Sequence, residues 1–429
     1  MKILKTAEIG VESALRQIES ERVKTTPDSS IESVVRDLLA QVRRDGDKAL
    51  FRFADKFDGL SLDSLKVAPD EIKEAYRKTE PNLLKALEAS KKNIEKFHKA
   101  TLRRSEPVTR TVPGVEVWRE FRPIERVGLY VPGGKAAYPS TVLMLSIPAK
   151  VAGCEEIVLC TPPSRDGKCS QVVLAAAYLC GITQVFKVGG AGAIGAMAYG
   201  TETIPKVSKI FGPGNQYVTM AKMLVFGEVD IDMPAGPSEV LVIADAKANP
   251  KWVAADLLSQ LEHGEDSQSV LVTSSEPLAV KVIAEMENQM RKLSRLKIIE
   301  KSFEKSFTVL VKSMDEACQL VNAYAPEHLE IVMTNPAQVS KKINNAGSIF
   351  LGSYTNEPLG DYATGANHTL ATSGYAKMFP ALSTESFGKM IQVQRVSKEG
   401  IKKLRFAVET LATAEGLDAH KNAVTVRFS

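Results

Sequence analysis

The strongest constraint on the fold is the alternation, from about residue 124 onwards, of short uninterrupted apolar runs with segments of helical length. Runs such as VGLYVPGG, EEIVLCTPP and QVFKVGG are typical of strands, and apolar segments such as TVLMLSIPAKVAG and SQVVLAAAYLCGI between them are typical of helices. Strands that are apolar on both sides indicate a parallel sheet covered by helices on both faces. Because crossover connections are right-handed, this pattern predicts a doubly wound domain.

The pattern begins again at Ser238, where EVLVIAD, SVLVTSS, HLEIVMT and SIFLGS are further strand-like runs. The first hundred residues are charged and have the apolar spacing of amphipathic helices. After about Ser383, a strand-like run (MIQVQRV), a helix (400–416) and a short final strand (423–428) form a tail too small to bury a core alone. We therefore predict an α/β protein: two doubly wound, incomplete Rossmann-like domains with parallel-sheet cores, a helical N-terminal segment, and a small C-terminal tail that packs on another domain or subunit.

Composition excludes several classes of protein. The chain has 429 residues, of which 44% are apolar and 25% charged, as in ordinary globular proteins. A net charge of +4, spread along the chain, favours neither nucleic acid nor a membrane surface as a partner. No run reaches the roughly 18 apolar residues of a membrane span, and the N-terminus lacks the pattern of a signal peptide. The 5 cysteines include no C-x-x-C pair, so we expect a reduced, cytoplasmic protein without a thiolate metal site.

Histidine is rare in this chain and unevenly placed. Of the 5 histidines, His98 lies among lysines in KFHKA, where we expect a solvent-exposed helix face. The other four follow residue 260, each beside a carboxylate, a glycine or an amide at an element boundary: His263, His328, His368 and His420. Loops at the ends of parallel strands are where α/β proteins place their sites. The four together predict a functional site, although any one of them alone is more often structural.

Gln260 and His263 are the sharpest pair, because they lie three residues apart in the last turn of a helix that Gly264 is expected to end. The negative end of the helix dipole favours a cation there. Asp361, at the head of a glycine-rich turn, and His420 are further candidate donors. Nitrogen and oxygen donors without sulfur suit zinc or another borderline divalent ion. The alternative is an exposed polar helix end.

Glu327 and His328 are adjacent at the entrance to a predicted strand. Neighbours in an extended segment point to opposite faces, so both reach one pocket only if the chain is kinked, and Pro326 makes such a junction plausible. A histidine can act as a general base, and a glutamate with a raised pKa can activate water. The alternative is a polar strand end.

The run from Gly190 to Gly195 matches G-x-G-x-x-G between a predicted strand and a helix. The acidic residue expected about twenty positions later is missing, so the complete dinucleotide fingerprint is absent. The turn GPGNQY (212–217) and the loop YVPGGKAAYPST (130–141) are equally good glycine-rich loops for a ligand.

Several longer motifs identify a family. The runs RVGLYVPGG, YPSTVLM, KIFGPGN, DMPAGPSEVLVIAD, DLLSQLEHGEDSQ, APEHLE, GDYATGANH and AHKNAVTVR resemble those of histidinol dehydrogenase, in the family's order and over nearly the whole chain. The resemblance implies a zinc- and NAD-dependent enzyme. It would oxidise L-histidinol through L-histidinal to L-histidine, the last steps of histidine biosynthesis, with two NAD⁺.

The resemblance also implies roles for individual residues. The zinc ligands would be Gln260, His263, Asp361 and His420. The catalytic pair would be Glu327 and His328, with His328 as the base and Glu327 activating water. The substrate would contact the zinc ligands, His328, Ser238, His368 and Glu415. NAD would contact Tyr130, Asn215 and position 192, where the family usually has glutamine. Because residue 192 is Gly192 here, that side-chain contact is lost.

The family is a homodimer whose C-terminal tail reaches over the partner, so Glu415 and His420 would complete the neighbour's site. The expected division of the chain is a helical N-terminal segment (1–25), a discontinuous α/β domain with the metal and catalytic residues (26–129 and 237–381), an NAD-binding α/β domain (130–236) and the tail (382–429).

Three alternatives stay open at the level of sequence. A related enzyme class oxidises sulfopropanediol with NAD⁺ and a metal, and its core motifs are similar. A zinc-dependent hydrolase could use Glu327 to activate water without binding a dinucleotide. A catalytically silent metal-binding or assembly protein is the third, although it would have no need of the Glu327–His328 pair.

Overall fold

The fold comprises two parallel sheets, a small antiparallel sheet and the helices around them, and the computed structural model describes residues 1–22, 29–102, 104–133 and 137–429. The strands are β1 (Lys2–Lys5), β2 (Thr109–Val112), β3 (Val115–Pro123), β4 (Arg126–Tyr130), β5 (Glu156–Thr161), β6 (Gln184–Lys187), β7 (Lys209–Phe211), β8 (Asp230–Ile231), β9 (Glu239–Ala244), β10 (Gln268–Thr273), β11 (Phe307–Leu310), β12 (His328–Val332), β13 (Ser348–Leu351) and β14 (Gly388–Val396). The helices are α1 (Thr6–Ile9), α2 (Val11–Glu21), α3 (Ser29–Asp45), α4 (Asp47–Phe53), α5 (Pro69–Lys78), α6 (Pro81–Thr101), α7 (Pro139–Ala152), α8 (Gln171–Leu179), α9 (Gly190–Tyr199), α10 (Gln216–Val225), α11 (Pro250–Leu261), α12 (Glu276–Met290), α13 (Leu296–Glu304), α14 (Met314–Tyr324), α15 (Pro336–Ser340), α16 (Glu357–Tyr362), α17 (Lys398–Ala414) and α18 (Asp418–Thr425).

Both parallel sheets are doubly wound, which confirms the predicted fold class. The six-stranded sheet has the order β1-β11-β10-β9-β12-β13 and the five-stranded sheet the order β6-β5-β4-β7-β8. In each sheet the chain moves outwards from a central strand to one edge and then returns to build the other side. The direction of winding therefore switches between β9 and β12 in the first sheet and between β4 and β7 in the second. Crevices at such switch points are where open α/β sheets bind ligands.

The apolar runs are buried as their composition predicts. Every residue of β9 and of β10 is buried, and helices close both faces of each sheet. Helices α3 to α6 pack against α7 to α10 around the five-stranded sheet, whereas β1 joins the six-stranded sheet beside β11. Packing therefore favours a different division from the expected one, because it groups 29–101 with 130–236. The expected boundary at residues 25 and 26 lies outside the described residues.

Two terminal predictions need correction. The N-terminal segment is not wholly helical, since β1 precedes α1 and α2. The predicted strand 390–396 and helix 400–416 are confirmed as β14 and α17, but the predicted final strand is wrong. Residues 418–425 form α18, which packs on α17 and is fixed there by a hydrogen bond from Thr425 Oγ1 to Glu409 Oε1 (2.7 Å). Among the described residues, α17 packs beside this segment and no strand pairs with it. In the described part of the chain, no helix has the length and apolarity that crossing a membrane requires.

His98 is buried, and the expectation of an exposed histidine is wrong. Its side chain lies on the inner face of α6 with Leu87 and Ile94, while the neighbouring lysines project outwards. The Thr384 hydroxyl donates to the His98 carbonyl (3.2 Å) and lies 3.1 Å from Nδ1, so Nδ1 carries the proton that the hydroxyl accepts. Burial lowers the pKa of His98 to about 4.

Substitution of His98 should therefore change how stability depends on pH. The folded protein keeps His98 neutral down to about pH 4, whereas in the unfolded chain His98 binds a proton below the ordinary histidine pKa of 6.5. Because the unfolded state binds the extra proton, lowering the pH from 7 to 4.5 should reduce the free energy of unfolding by about 2 kcal/mol through this residue. In His98→Asn, which keeps a donor towards Thr384, that part of the loss should disappear from denaturant titrations at the two pH values. An unchanged pH dependence would contradict this account.

Candidate active site

A cleft of about 690 Å³ lies between the two parallel sheets. Residues after the carboxyl ends of β4 and β7 line one side of it, as sites in α/β proteins usually do. The other side is unusual, because the six-stranded sheet presents the amino ends of β9 and β12, with Ser238, Glu327 and His328. The end of α11, with Gln260 and His263, completes that wall because α11 runs back from the carboxyl end of β9.

The chain is bent just before Glu327 and His328, as the proline predicts. Ala325 adopts a left-handed conformation (φ 52°), and Pro326 follows it before β12 begins at His328. Both side chains line the cleft and both are bound by the backbone of Glu239 on the adjacent strand. The Glu239 N–H donates to Glu327 Oε2 (2.9 Å), and the Glu239 carbonyl lies 3.1 Å from His328 Nδ1.

This contact fixes the protonation of His328. A carbonyl oxygen can only accept, so Nδ1 carries the hydrogen and Nε2 is the bare nitrogen. Nε2 is buried with no hydrogen-bond partner and lies 3.7 Å from Asp361 Oδ1. Burial lowers the pKa of His328 to about 3 and raises that of Glu327 well above its usual value. The imidazole is therefore neutral and can accept a proton at Nε2.

A second group of donors lies beside this pair. Ligand atoms of His263, Glu357 and Asp361 lie within 4.8 Å of one another. Gln260 Nε2 lies 3.1 Å from His263 Nδ1, and the buried Gln260 Oε1 has no hydrogen-bond partner. Burial and the neighbouring Glu357 raise the pKa of Asp361 to about 8, and burial raises that of Glu357. Two carboxyl groups and an unpaired amide oxygen around one imidazole are a donor set that fits a divalent cation.

Glu357 is the member of this cluster that sequence reasoning missed. Asp361 lies in the last turn of the helix α16, and the predicted glycine-rich turn follows the helix at 363–366, so Glu357 and Asp361 lie four residues apart on one face of α16. The four-residue spacing of these two carboxylates is the feature of the sequence that could have identified Glu357. Behind the cluster, Ser259 Oγ donates to Glu357 Oε2 (2.7 Å), and the buried Glu330 accepts from the Glu357 N–H (2.8 Å), which holds the helix in place.

His368 lines the cleft as well, with Nε2 3.5 Å from Thr141 Oγ1. Burial lowers the pKa of His368 to about 4. Glu415 and His420 do not join the other residues, because both are exposed on the C-terminal tail and neither lines the cleft.

Of the three residues expected to contact NAD, two line the cleft and one does not. Tyr130 and Asn215 line the cleft. The Tyr130 hydroxyl accepts from the Gly190 N–H (3.1 Å), and Asn215 Oδ1 caps α10 by accepting from the N–H groups of Tyr217 and Val218 (both 3.1 Å). The turn before Asn215 is held by the buried ion pair of Lys222 with Asp232, which bind the carbonyl and the N–H of Gly212 respectively. Part of the second predicted ligand loop, 134–136, lies outside the described residues.

Gly192 does not line the cleft. It is buried in α9, where an added Cβ would lie 3.1 Å from Phe53 and 3.4 Å from Leu50. At Gly195 a Cβ would lie 3.0 Å from Leu39. These glycines of the G-x-G-x-x-G run allow α3 and α4 to pack closely on α9.

Comparisons with known proteins agree over almost the whole chain. The family described as histidinol dehydrogenase matches residues 21–428. The histidinol dehydrogenase of Bacteroides thetaiotaomicron is 52% identical over 401 residues, 93% of this chain and 94% of that protein. That of Aquifex aeolicus is 50% identical over 399 residues, 92% of each chain. The crystal structure of histidinol dehydrogenase from Elizabethkingia anophelis has a TM-score of 0.94 and 43% identity, and the match covers 100% of this chain and 98% of that one.

The donor cluster predicts the effect of removing Glu357. Glu357→Gln should weaken zinc binding at least about tenfold, because the substitution removes a charged oxygen from the group around His263. Zinc retained per chain after dialysis against a graded chelator measures this. Glu262→Gln is the matched control, since it makes the same change next to His263 outside the cluster. Equal zinc retention by the two variants would count against Glu357 as a donor.

Proposed function

The chain belongs to the histidinol dehydrogenase family, an oxidoreductase family of histidine biosynthesis, and on that premise we propose how its cleft oxidises L-histidinol through L-histidinal to L-histidine with NAD⁺. One observation carries the proposal. A glutamate and a neutral histidine, Glu327 and His328, line the same cleft as a set of divalent-cation donors, with His328 Nε2 3.7 Å from Asp361 Oδ1. No observation on the described residues favours sulfopropanediol oxidation, hydrolysis or a silent scaffold.

Zinc is the proposed metal, held by Gln260, His263 and Asp361 of one chain and His420 of a second copy, with Glu357 as an added donor. L-Histidinol has an amine and an imidazole, which are both zinc donors, so the bound metal would orient the substrate in the cleft. Ser238, His368 and the second copy's Glu415 would contact the substrate. NAD⁺, when bound, accepts the hydride.

The chain's own groups would move the protons. His328 Nε2 would accept the hydroxyl proton of L-histidinol as the hydride leaves its carbinol carbon. The resulting aldehyde must be hydrated before a second hydride can leave, and Glu327 would activate the water that adds to it. His328 would release that first proton to solvent and then accept a hydroxyl proton of the hydrate in the second oxidation. The Glu239 carbonyl supports both steps, because it holds the Nδ1 proton and leaves Nε2 free.

NAD⁺ is proposed to bind on the side of the cleft formed by the five-stranded sheet. Tyr130 and Asn215 are the proposed contacts, at the carboxyl ends of β4 and β7. Gly192 would contribute no side-chain contact to NAD⁺, in keeping with its buried position in α9 against α4. All five cysteines are free thiols, which supports a reducing, cytoplasmic location.

A homodimer with shared sites is proposed because the tail carries Glu415 and His420 away from its own cleft. The tail exposes large apolar side chains, with Phe406 80% and Leu411 62% exposed. Apolar side chains are also exposed close to the metal donors: Tyr362 lies on α16, and Tyr354, in the turn before α16, is 85% exposed. Large exposed apolar patches mark interaction surfaces. The tail of one copy would cover this surface of the other and bring His420 to the metal.

Counting NADH tests the reaction. L-Histidinol consumed to completion should yield about two NADH per molecule, and removal of the metal by a chelator should abolish turnover. Glu327→Gln should slow oxidation of added L-histidinal by about 100-fold or more, while the first oxidation keeps at least a tenth of its rate. Equal losses in both steps would refute the role of Glu327, and one NADH per histidinol in the unmodified enzyme would refute the four-electron reaction.

Mixing inactive variants tests the shared site. His420→Ala and Gln260→Ala chains should each be inactive as homodimers. After unfolding and refolding together in equal amounts, about a quarter of the unmodified activity should return, because half of the dimers are then mixed and each mixed dimer has one intact site. No recovery, with mixed dimers verified by mass spectrometry, would place each site within one chain.

A further inference from the structure

Arg22 is a buried cation beneath the junction that carries Glu327 and His328. Its side chain is only 8% exposed and lies over the ring of Tyr324, 3.9 Å from the ring centre. Nε donates to Glu239 Oε1 (2.6 Å) and Nη2 to Glu239 Oε2, a two-pronged pairing. Nη1 donates to the Tyr324 carbonyl (2.9 Å). The Arg22–Glu239 pair therefore links the end of α2 to the segments that enter two central strands.

Those two strands flank the switch point of the six-stranded sheet. Glu239 is the first residue of β9, and Tyr324 and Ala325 lead into β12. The backbone of Glu239 binds both members of the catalytic pair, through its N–H to Glu327 and its carbonyl to His328. Holding the Glu239 side chain therefore holds the backbone groups that set the direction of both side chains.

Backbone strain is concentrated at the same place. In the described ranges of the chain, the non-glycine residues with positive φ are Ala325 (φ 52°) and Ser373 (φ 54°). The Ser373 N–H donates to Glu239 Oε1 (2.9 Å), and Arg22 Nη2 lies 3.5 Å from the Ala325 carbonyl oxygen. Strained residues persist where the surroundings over-determine them, and here the surroundings are the Arg22–Glu239 pair.

We propose that Arg22 and Glu239 are positioning residues, whose buried pair holds Glu327 and His328 in the geometry that the reaction requires. The inference rests on the proposed function for its kinetic consequence. Lysine at position 22 keeps the charge but has no planar fork, so it cannot hold both Glu239 oxygens and the Tyr324 carbonyl at once. The segment that leads into β12 would then keep its fold, but it would no longer hold the side chains of Glu327 and His328 in one direction.

Kinetics of R22K and E239Q test the proposal against a matched control. Arg126 and Glu156 form the same two-pronged pair (2.7 and 2.6 Å) at the amino ends of β4 and β5, away from the cleft. R22K and E239Q should each lower kcat about tenfold or more, whereas KM for NAD⁺ and zinc per chain stay unchanged. R126K should keep the kcat of the unmodified enzyme. The double variant R22K/E239Q should lose little more than either single variant, because both act on one backbone segment.

A second measurement needs no turnover and so separates this proposal from the proposed function. In the unmodified protein the His328 Nδ1 proton should give a slowly exchanging ¹H–¹⁵N signal, identified by its absence in His328→Asn. That signal should persist in R126K and broaden or exchange faster in R22K. An unchanged signal in R22K would overturn the proposal even if histidinol proved not to be the substrate. In an active enzyme, a kcat of R22K within twofold of the unmodified value, or an equal loss in R126K, would overturn it as well.

Discussion

A parallel sheet that is closed by helices on both faces can offer polar groups only at the two ends of its strands. In this protein the cleft lies between the carboxyl ends of the strands of one sheet and the amino ends of the strands of the other. The five-stranded sheet presents its carboxyl ends, where β4 and β7 end at Tyr130 and Phe211. The six-stranded sheet presents its amino ends, where β9 and β12 begin, together with the C-terminal end of α11. The proposed dinucleotide contacts, Tyr130 at the end of β4 and Asn215 before α10, thus face the proposed catalytic groups across a single crevice.

The electrostatic cost of burying charge in this crevice explains the protonation of its ionisable side chains. Charged carboxylates and imidazolium ions are disfavoured when buried, so the pKa values of Glu327, Glu357 and Asp361 rise while those of His328 and His368 fall. Each of these groups therefore tends towards neutrality. A bound divalent cation would reverse the balance for the carboxyl groups of Glu357 and Asp361, because they would share its positive charge. The donor cluster is accordingly better suited to a cation than to an empty, water-excluding cavity.

The sequence predicts this architecture well wherever the signal is local. Continuous apolar runs identify the parallel strands, and the three-residue spacing of Gln260 and His263 brings both to the C-terminal end of α11, with His263 just beyond the helix. Local signals fail where long-range packing decides. His98 lies among lysines in sequence but faces Thr384 across the fold, and the tail residues 418–425 are helical because α17 is there to pack against. Arg22 illustrates the limit, because its partner Glu239 is 217 residues away and nothing near Arg22 indicates a buried pair.

The separation of Glu415 and His420 from their own cleft has a physical rationale in the proposed dimer. Gln260 lies on α11 and Asp361 on α16, two helices that pack on one another, and His263 follows the end of α11, so these donors are placed before any second copy arrives. A cleft that must admit both a dinucleotide and an amino alcohol has to stay open on one side, and a segment of the same chain fixed over it would block entry. A tail supplied by another copy can complete the metal site and cover the exposed apolar side chains in the same step. Assembly would then couple the burial of apolar surface to the completion of the catalytic site, and the fraction of complete sites would depend on protein concentration.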